Sequence, residues 1–445
     1  MARQRPADTV SVRAASRAAA LAGLLVALGT SCGSEAENGV TTLRLWGLGR
    51  EGEVVAELVR DFERENPSIR VHVQQIPWTA AHEKLLTAHV GEATPDLAQL
   101  GNTWVPEFVA LRALEPLNAY VASSGTVDTS RYFRGIWDTN VLHDTVYGIP
   151  WYVDTRLIFY RKDILAAAGY ETMPSTWAEW RTAMERVKAN VGAERYAIYL
   201  PSNEWTQPVI FGLQSGSPLL KSDGEYGAFS DSSFRRAFEF YIGLYRSGLA
   251  PALGLNDVAN VYQEFTRGLF AMWITGPWNV GEFKRRLPPE MAEKWGTAPL
   301  PGPTGESSGT SLAGGASLVL FRSSEHKAEA WKLIEFLSRP EQQRRFYQLT
   351  GDLPARKEVW QDSTLIGDQY MRAFWEQLQR VSPTPKVPEW ELIATKVFDY
   401  AEQSIRGGVP EAEVLRRLDA DVNRILEKRR WMLARERNTR ASGAN

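Results

Sequence analysis

The chain carries one cysteine, Cys32, and five histidines in 445 residues. One thiol allows no internal disulfide, so the fold has to be held by a large core. Few histidines beside a single thiol also leave little material for a metal centre. His82-Glu83 opens like H-E-x-x-H, but the next histidine, His89, stands two helical turns on, too far to share one zinc ion. An excess of positive charge is missing as well, with 51 Lys and Arg against 53 Asp and Glu, which argues against nucleic acid as a partner. Beyond the N-terminal leader no apolar run is long enough to span a bilayer.

What the N-terminus does have is directional. Arg3, Arg5, Arg13 and Arg17 precede an apolar stretch from Ala18 to Leu28, then Gly29, Thr30 and Ser31, then Cys32. A basic start, a short apolar run and a small-residue exit predict a signal peptide over 1–31. A cysteine at the exit predicts lipidation: cleavage before Cys32 and a diacylglycerol on its thiol. The alternative is an ordinary signal peptide with a chance cysteine after it. Gly29 and Ser31 stand where bacterial lipoboxes favour Leu and then Gly or Ala. Residues 32–40 are small and polar and predict a lipid-anchored linker. The leader takes four arginines and one aspartate with it, leaving the remainder near −5. The expectation is a protein exported and held by Cys32 at the outer face of the cell membrane or in the periplasm.

Roughly 400 residues then exceed what one hydrophobic core accommodates, so two domains are expected. Thr42–Trp46 reads as strand, and Val54 to Phe62 recur at helical spacing until Asn66-Pro67. Ile69–Gln75 is strand, Ala81–Val90 helix and Asp96–Leu100 strand again, the α/β alternation of a parallel sheet. Such sheets bind ligands at the carboxyl ends of their strands. Further on, Thr176-Trp177-Ala178-Glu179 is a capping box, opening a helix to about Asn190. Phe234–Arg246, His326–Ser338 and Glu341–Leu349 read as helices, and Leu269–Ile274 and Ser317–Phe321 as strands. A last helix is expected from Glu411 to about Arg435, with its basic end in solvent and a frayed tail after it.

Two motifs match patterns whose context they lack. Gly47-Leu48-Gly49-Arg50-Glu51-Gly52 is a literal G-x-G-x-x-G between strand and helix. No carboxylate follows at the end of the next strand to hold a ribose, and Glu51 would repel a pyrophosphate. Gly305-Glu306-Ser307-Ser308-Gly309 fits G-x-S-x-G, but within a Pro/Gly-rich loop rather than a strand-to-helix elbow.

A different constellation carries chemistry. Trp46, Trp78 and Trp104 each follow or end one of the first three strands, with Gln99 and Asn102 nearby and Glu51 in the first turn. Trp151, Tyr152 and Asp154 cluster, Trp205 lies in another loop, and Trp278 follows Gly276-Pro277. Aromatic faces suit the C–H face of a pyranose, and carboxylates and amides suit its hydroxyls. Taken singly, each tryptophan fits a core position equally well.

At these positions the chain resembles the extracellular solute-binding proteins of ABC importers, in the sugar-binding group that includes maltose- and trehalose-binding proteins. Tyr147-Gly148-Ile149-Pro150 with Phe159-Tyr160-Arg161-Lys162-Asp163 resembles that family's hinge strand, Arg161 standing where Asn is usual. Pro174-Ser175-Thr176-Trp177, Phe265-Thr266-Arg267-Gly268 with Ala271-Met272 and Gly276-Pro277-Trp278, Gly314-Gly315, and Gly351-Asp352-Leu353-Pro354-Ala355-Arg356 resemble its other signatures, in order. The resemblance implies an α/β, two-lobed periplasmic-binding-protein-like clamp, each lobe a mainly parallel sheet flanked by helices. It implies lobe 1 over 41–152 and 313–365, lobe 2 over 153–312 and 366–435, and a flexible tail 436–445. Two chain crossings are implied, near Ile149–Thr155 and near Ser311–Ala316. The implied ligand contacts are Trp46, Glu51, Trp78, Gln99, Asn102, Tyr152, Asp154, Trp205, Trp278, Gly315 and Arg356. The implied partners are a neutral sugar or oligosaccharide and the transmembrane subunits of a permease, with the protein a monomer and no cofactor or metal.

A glycoside hydrolase is the rival from another class, since it also needs aromatic platforms and a pair of carboxylates, here Glu51 and Asp154.

Overall fold

Strand β1 (Thr41–Leu48), helix α1 (Gly49–Glu65), strand β2 (Ile69–Ile76), helix α2 (Trp78–Val90) and strand β3 (Leu97–Gly101) open the fold. The structure, a computed structural model, describes residues 39–443. The leader 1–31, Cys32 and most of the linker 32–40 therefore lie outside the described residues. β1 runs parallel between β2 and β3, with Leu45 opposite Val73 on one side and Leu97 on the other. Alternation along β1 sorts its side chains into two layers. Leu43 and Leu45 pack with Val55, Leu58 and Phe62 of α1, while Trp46 and Leu48 pack with Ala81 and Leu85 of α2.

The first sheet is completed by strands far along the chain. Its order is Leu353–Pro354, Ile149–Asp154, Gly314–Leu320, β3, β1, β2. Gly314–Leu320 is antiparallel to both β3 and Ile149–Asp154. The second sheet has the order Trp295–Ala298, Leu157–Arg161, Phe270–Thr275, Tyr196–Tyr199, and only its last pair is parallel. Both sheets are thus mixed where mainly parallel sheets were expected. The reason is the connectivity: one strand leaves the lobe and its neighbour returns, so the two must run in opposite directions. One face of the second sheet, Ile158, Ile198, Met272 and Ile274, meets helices Trp177–Val191, Ser232–Arg246 and Trp390–Ile405. The other, Phe159 and Trp295, packs on Phe283, Phe374 and Tyr370, with the Trp295 and Tyr370 rings stacked at 3.7 Å.

The chain passes between the lobes three times: near the two crossings that the resemblance implies, and once more after Leu353–Pro354, where the implied lobe bounds also change. Thr155-Arg156 joins Ile149–Asp154 to Leu157–Arg161, and Ser311–Leu312 leads back into Gly314–Leu320. The third passage runs from Leu353–Pro354 to the helix Gln369–Leu378 beside the second sheet. Ser311–Leu312 pairs with Val381–Ser382, and the Ser311 hydroxyl donates to the Arg156 carbonyl at 2.7 Å, so the passages are tied together.

Local signals behave as their chemistry requires. Thr176 caps Trp177–Val191, its hydroxyl accepting the Glu179 N–H at 3.2 Å. Gly47 and Gly52 serve close packing rather than phosphate: a Cβ on Gly52 would sit 2.6 Å from the Gly47 carbonyl oxygen. Arg161 clamps a turn, donating to the Phe265 and Thr266 carbonyls at 3.0 and 2.9 Å. The C-terminal helix divides at Leu426 into Glu411–Ile425 and Glu427–Gly443. Arg437 pairs with Glu225, and Arg430 lies over Tyr226, so helix continues through much of the segment expected to fray. Among the described residues no helix is long and apolar enough to cross a membrane.

Candidate functional site

The carboxyl ends of β1, β3 and Ile149–Asp154 face the second lobe across a cleft of about 540 Å³. Glu51, in the first turn of α1, reaches into it. Its Oε1 accepts the Tyr152 hydroxyl at 3.0 Å and its Oε2 accepts the Trp78 indole N–H at 3.4 Å. Behind them Gln99, wholly buried, donates to the Tyr152 oxygen at 3.2 Å and accepts the Leu48 N–H at 2.7 Å. Asn102 donates to the Gly314 carbonyl at 3.2 Å and accepts from Ser317, fixing the strand that forms the cleft floor. On that floor Gly315 has φ 114°, and a Cβ there would lie 2.3 Å from the Tyr152 carbonyl oxygen. Only glycine fits such a position.

Electrostatics sharpen the cleft. Burial raises the Glu51 carboxyl above the usual carboxylate range, against its hydrogen bonds to Tyr152 and Trp78. Asp352 shares the cleft, and burial, then the neighbouring Glu51 and Asp154 charges, push its carboxyl up to about 7. Asp154 is paired with Arg156 at 2.7 Å. The guanidinium of Arg156 also lies 4.5 Å from the Trp278 ring centre. Trp278 is 46% exposed at the start of its helix, a large aromatic surface held in water by a cation. Trp205 is braced edge-on by Trp390 at 5.7 Å, and Trp104 by Trp78 at 5.6 Å. Among the described residues no His/Cys/Asp/Glu cluster could hold a metal ion.

Eight of the eleven expected contact residues line this cleft: Glu51, Trp78, Asn102, Tyr152, Asp154, Trp205, Trp278 and Gly315. Three do not. Trp46 is buried against α2 with Lys84 5.1 Å from its ring, because β1 runs two residues further and leaves it inside the strand. Gln99 supports Tyr152 from the layer behind. Arg356 is buried in the first lobe, its guanidinium donating to the Thr126 and Ser338 carbonyls and pairing with Glu358. That buried charge is already satisfied where it stands. Thr103, Trp104, Arg156, Thr206, Asp352 and Thr384 also line the cleft. Trp104 carried a signal, an aromatic just past a strand end, and Asp352 lay within the quoted G-x-x-P-x-R loop. Arg156, Thr206 and Thr384 carried none.

The arrangement can hold a small polar ligand between aromatic faces, with carboxyl, amide and backbone groups at its edges. Residues 46–344 match the family of bacterial extracellular solute-binding proteins. The sugar-binding protein MalE from Xanthomonas citri is 52% identical, with a TM-score of 0.86 over 88% of this chain and 99% of that one. The diacetylchitobiose binding protein DasA of Streptomyces coelicolor is 24% identical, covering 91% of this chain and 97% of its own. The galactooligosaccharide-binding protein of Bacillus subtilis is 24% identical, covering 82% and 85%. With its two-lobed fold and a cleft at the strand ends, the chain belongs to the bacterial extracellular solute-binding proteins.

Proposed function

We propose that the protein captures a neutral sugar or short oligosaccharide in the interlobe cleft and delivers it to the transmembrane subunits of an ABC importer. The observation that carries this reading is the wall of Trp78, Trp104, Trp205 and Trp278 around Glu51, Asp154 and Asp352 in one open cleft. Ring faces stack on pyranose C–H groups, the carboxyl groups meet hydroxyls, and the cleft volume falls in the range of small-ligand sites. Similarity to named sugar- and oligosaccharide-binding proteins supports it. Lipidated Cys32 would hold the protein at the outer face of the membrane, within reach of the permease, and the protein works as a monomer without cofactor.

Binding without cleavage is the expected chemistry. Glu51 is held by Tyr152 and Trp78, and Asp154 by Arg156, so the pair a hydrolase would use is already fixed as hydrogen-bonding groups. Calorimetry against a panel of mono- to tetrasaccharides tests the reading. At least one sugar should bind with micromolar or tighter Kd, about −8 kcal/mol, and be recovered intact. Binding of none contradicts sugar capture, and shortened products would make the protein a hydrolase. Fatty-acid labelling of cells tests the anchor: the wild type should be tagged and Cys32→Ala should not.

A further inference from the structure

Beside Trp104, among residues that do not line the cleft, lies a cluster drawn from both lobes. His82 of α2 and Glu107 of helix α3 (Val105–Ala110) meet at 2.6 Å between Nε2 and Oε2, both half-buried. The His82 ring lies 4.9 Å from the Trp104 ring and 6.3 Å from Phe108. The helix Trp390–Ile405 of the second lobe packs against Asn102–Trp104 beside them, and Glu391 stands in its first turn. That helix is anchored in the second core by Ile393, Ala394 and Val397. Glu391 abuts the Thr103 hydroxyl, and its Oε1 is shut off from solvent without a hydrogen-bond partner. Its neighbour Trp390 braces Trp205. The cluster therefore touches a residue of each aromatic wall, Trp104 directly and Trp205 through Trp390.

We infer that His82, Glu107 and Glu391 form a proton-dependent latch between the lobes, and that the latched state sets Trp104 in the cleft wall for ligand binding. His82 is a positioning residue in this scheme: it touches Trp104, not the ligand. A protonated imidazole bonded to Glu107 also attracts the nearby Glu391, which belongs to the other lobe. An uncharged ring leaves Glu391 and Glu107 facing each other with like charge.

The protonation states follow from the surroundings. The hydrogen bond to Glu107 raises the His82 pKa above the usual histidine value, burial opposes this, and the charges of Glu107, Glu391 and Glu83 add to the rise. Burial raises Glu391 above the usual carboxylate range, while Thr103 and His82 hold it down and Glu107 adds to the rise. The latch is complete between those two values. It loosens as pH rises through the raised histidine value, when His82 gives up its proton.

Two measurements test this, the second resting on the sugar-binding reading and the first independent of it. Proton NMR titration of the ligand-free protein, with His82→Gln identifying the His82 signal, should give a pKa above the usual histidine range. Glu391→Gln should lower it, and Glu107→Gln should lower it further. A His82 value unmoved by Glu391→Gln overturns the latch. The second is calorimetry with maltose and with trehalose at about pH 6.5 and about pH 9.5. Wild-type affinity should fall by about three- to tenfold on going to the higher pH, and Glu391→Gln should be weaker with a smaller fall. An identical profile in wild type and Glu391→Gln contradicts the coupling to binding. If neither sugar binds at either pH, the sugar reading fails and the NMR result alone decides the latch.

Discussion

The hydroxyl of Tyr152 donates to Glu51 Oε1 over 3.0 Å, joining the strand that leaves the first lobe to the first turn of α1. One short contact thus fixes the carboxylate at the cleft and ties it to the hinge. Glu51 keeps other acceptor directions for a ligand hydroxyl. Glu51→Gln should weaken sugar binding by roughly tenfold or more, since hydrogen bonds to charged groups contribute about 1.5–3 kcal/mol. Tyr152→Phe should weaken it less. Calorimetry on both variants checks the order, and equal loss from the two would place the sugar elsewhere.

Trp278 and Trp46 should separate binding from stability. Trp278 is exposed in the cleft, so Trp278→Ala should cost well over tenfold in affinity with a small change in Tm. Trp46 is core, and Trp46→Ala should cost about 3–5 kcal/mol of stability. What still folds should bind sugar normally. Denaturant melts beside binding curves distinguish the two, and the reverse pattern would return Trp46 to the site.

Asp352 gives a pH dependence with a definite sign. Its carboxyl lies at about 7 in the folded protein against 3.8 as the reference value, so folding takes up a proton between them. Stability from this group therefore falls as pH rises from about 4 to about 7, and the penalty is complete above that. Asp352→Asn should be more stable than wild type at about pH 8, on the order of 2 kcal/mol given partial solvent access, and should converge with it below about pH 4. Urea melts across that range measure it. A constant difference at every pH would mean Asp352 titrates normally.

Gly315→Ala should destabilise the protein by more than about 1 kcal/mol, since its φ is 114° and the new Cβ would meet the Tyr152 carbonyl. Displacing that strand moves the cleft floor, so affinity should fall with stability. Thermal melts with and without sugar show whether both change.

Where local chemistry decides, the sequence was readable. Thr176 and Glu179 mark a helix start by themselves, and the spacing of Val54, Val55, Leu58, Val59 and Phe62 marks α1. Aromatics at strand ends and in loops found Trp78, Trp205 and Trp278 in the cleft. Trp46 misled because two extra residues of β1, Gly47 and Leu48, turn a loop position into a core one. Arg356 misled because its partners, Thr126 and Ser338, are brought to it only by the fold. Asp352 draws its character first from burial and then from Glu51, some three hundred residues away in the chain, and no local pattern announces either. The direction of the returning strand Gly314–Leu320 is likewise set by the chain's path through the other lobe and back, which no local pattern shows.

Closure of the lobes on the sugar is the central claim. Glu51 and Trp78 belong to the first lobe and Trp205 and Trp278 to the second, so a ligand touching all four favours the state in which the lobes meet. Three passages tied by Ser311 and Arg156 leave a hinge at the base of the cleft. Small-angle scattering of the protein with and without a saturating sugar identified by calorimetry measures this directly. The radius of gyration should fall on binding, and Trp278→Ala should need more sugar to reach the same value. An unchanged radius at full saturation would contradict the account.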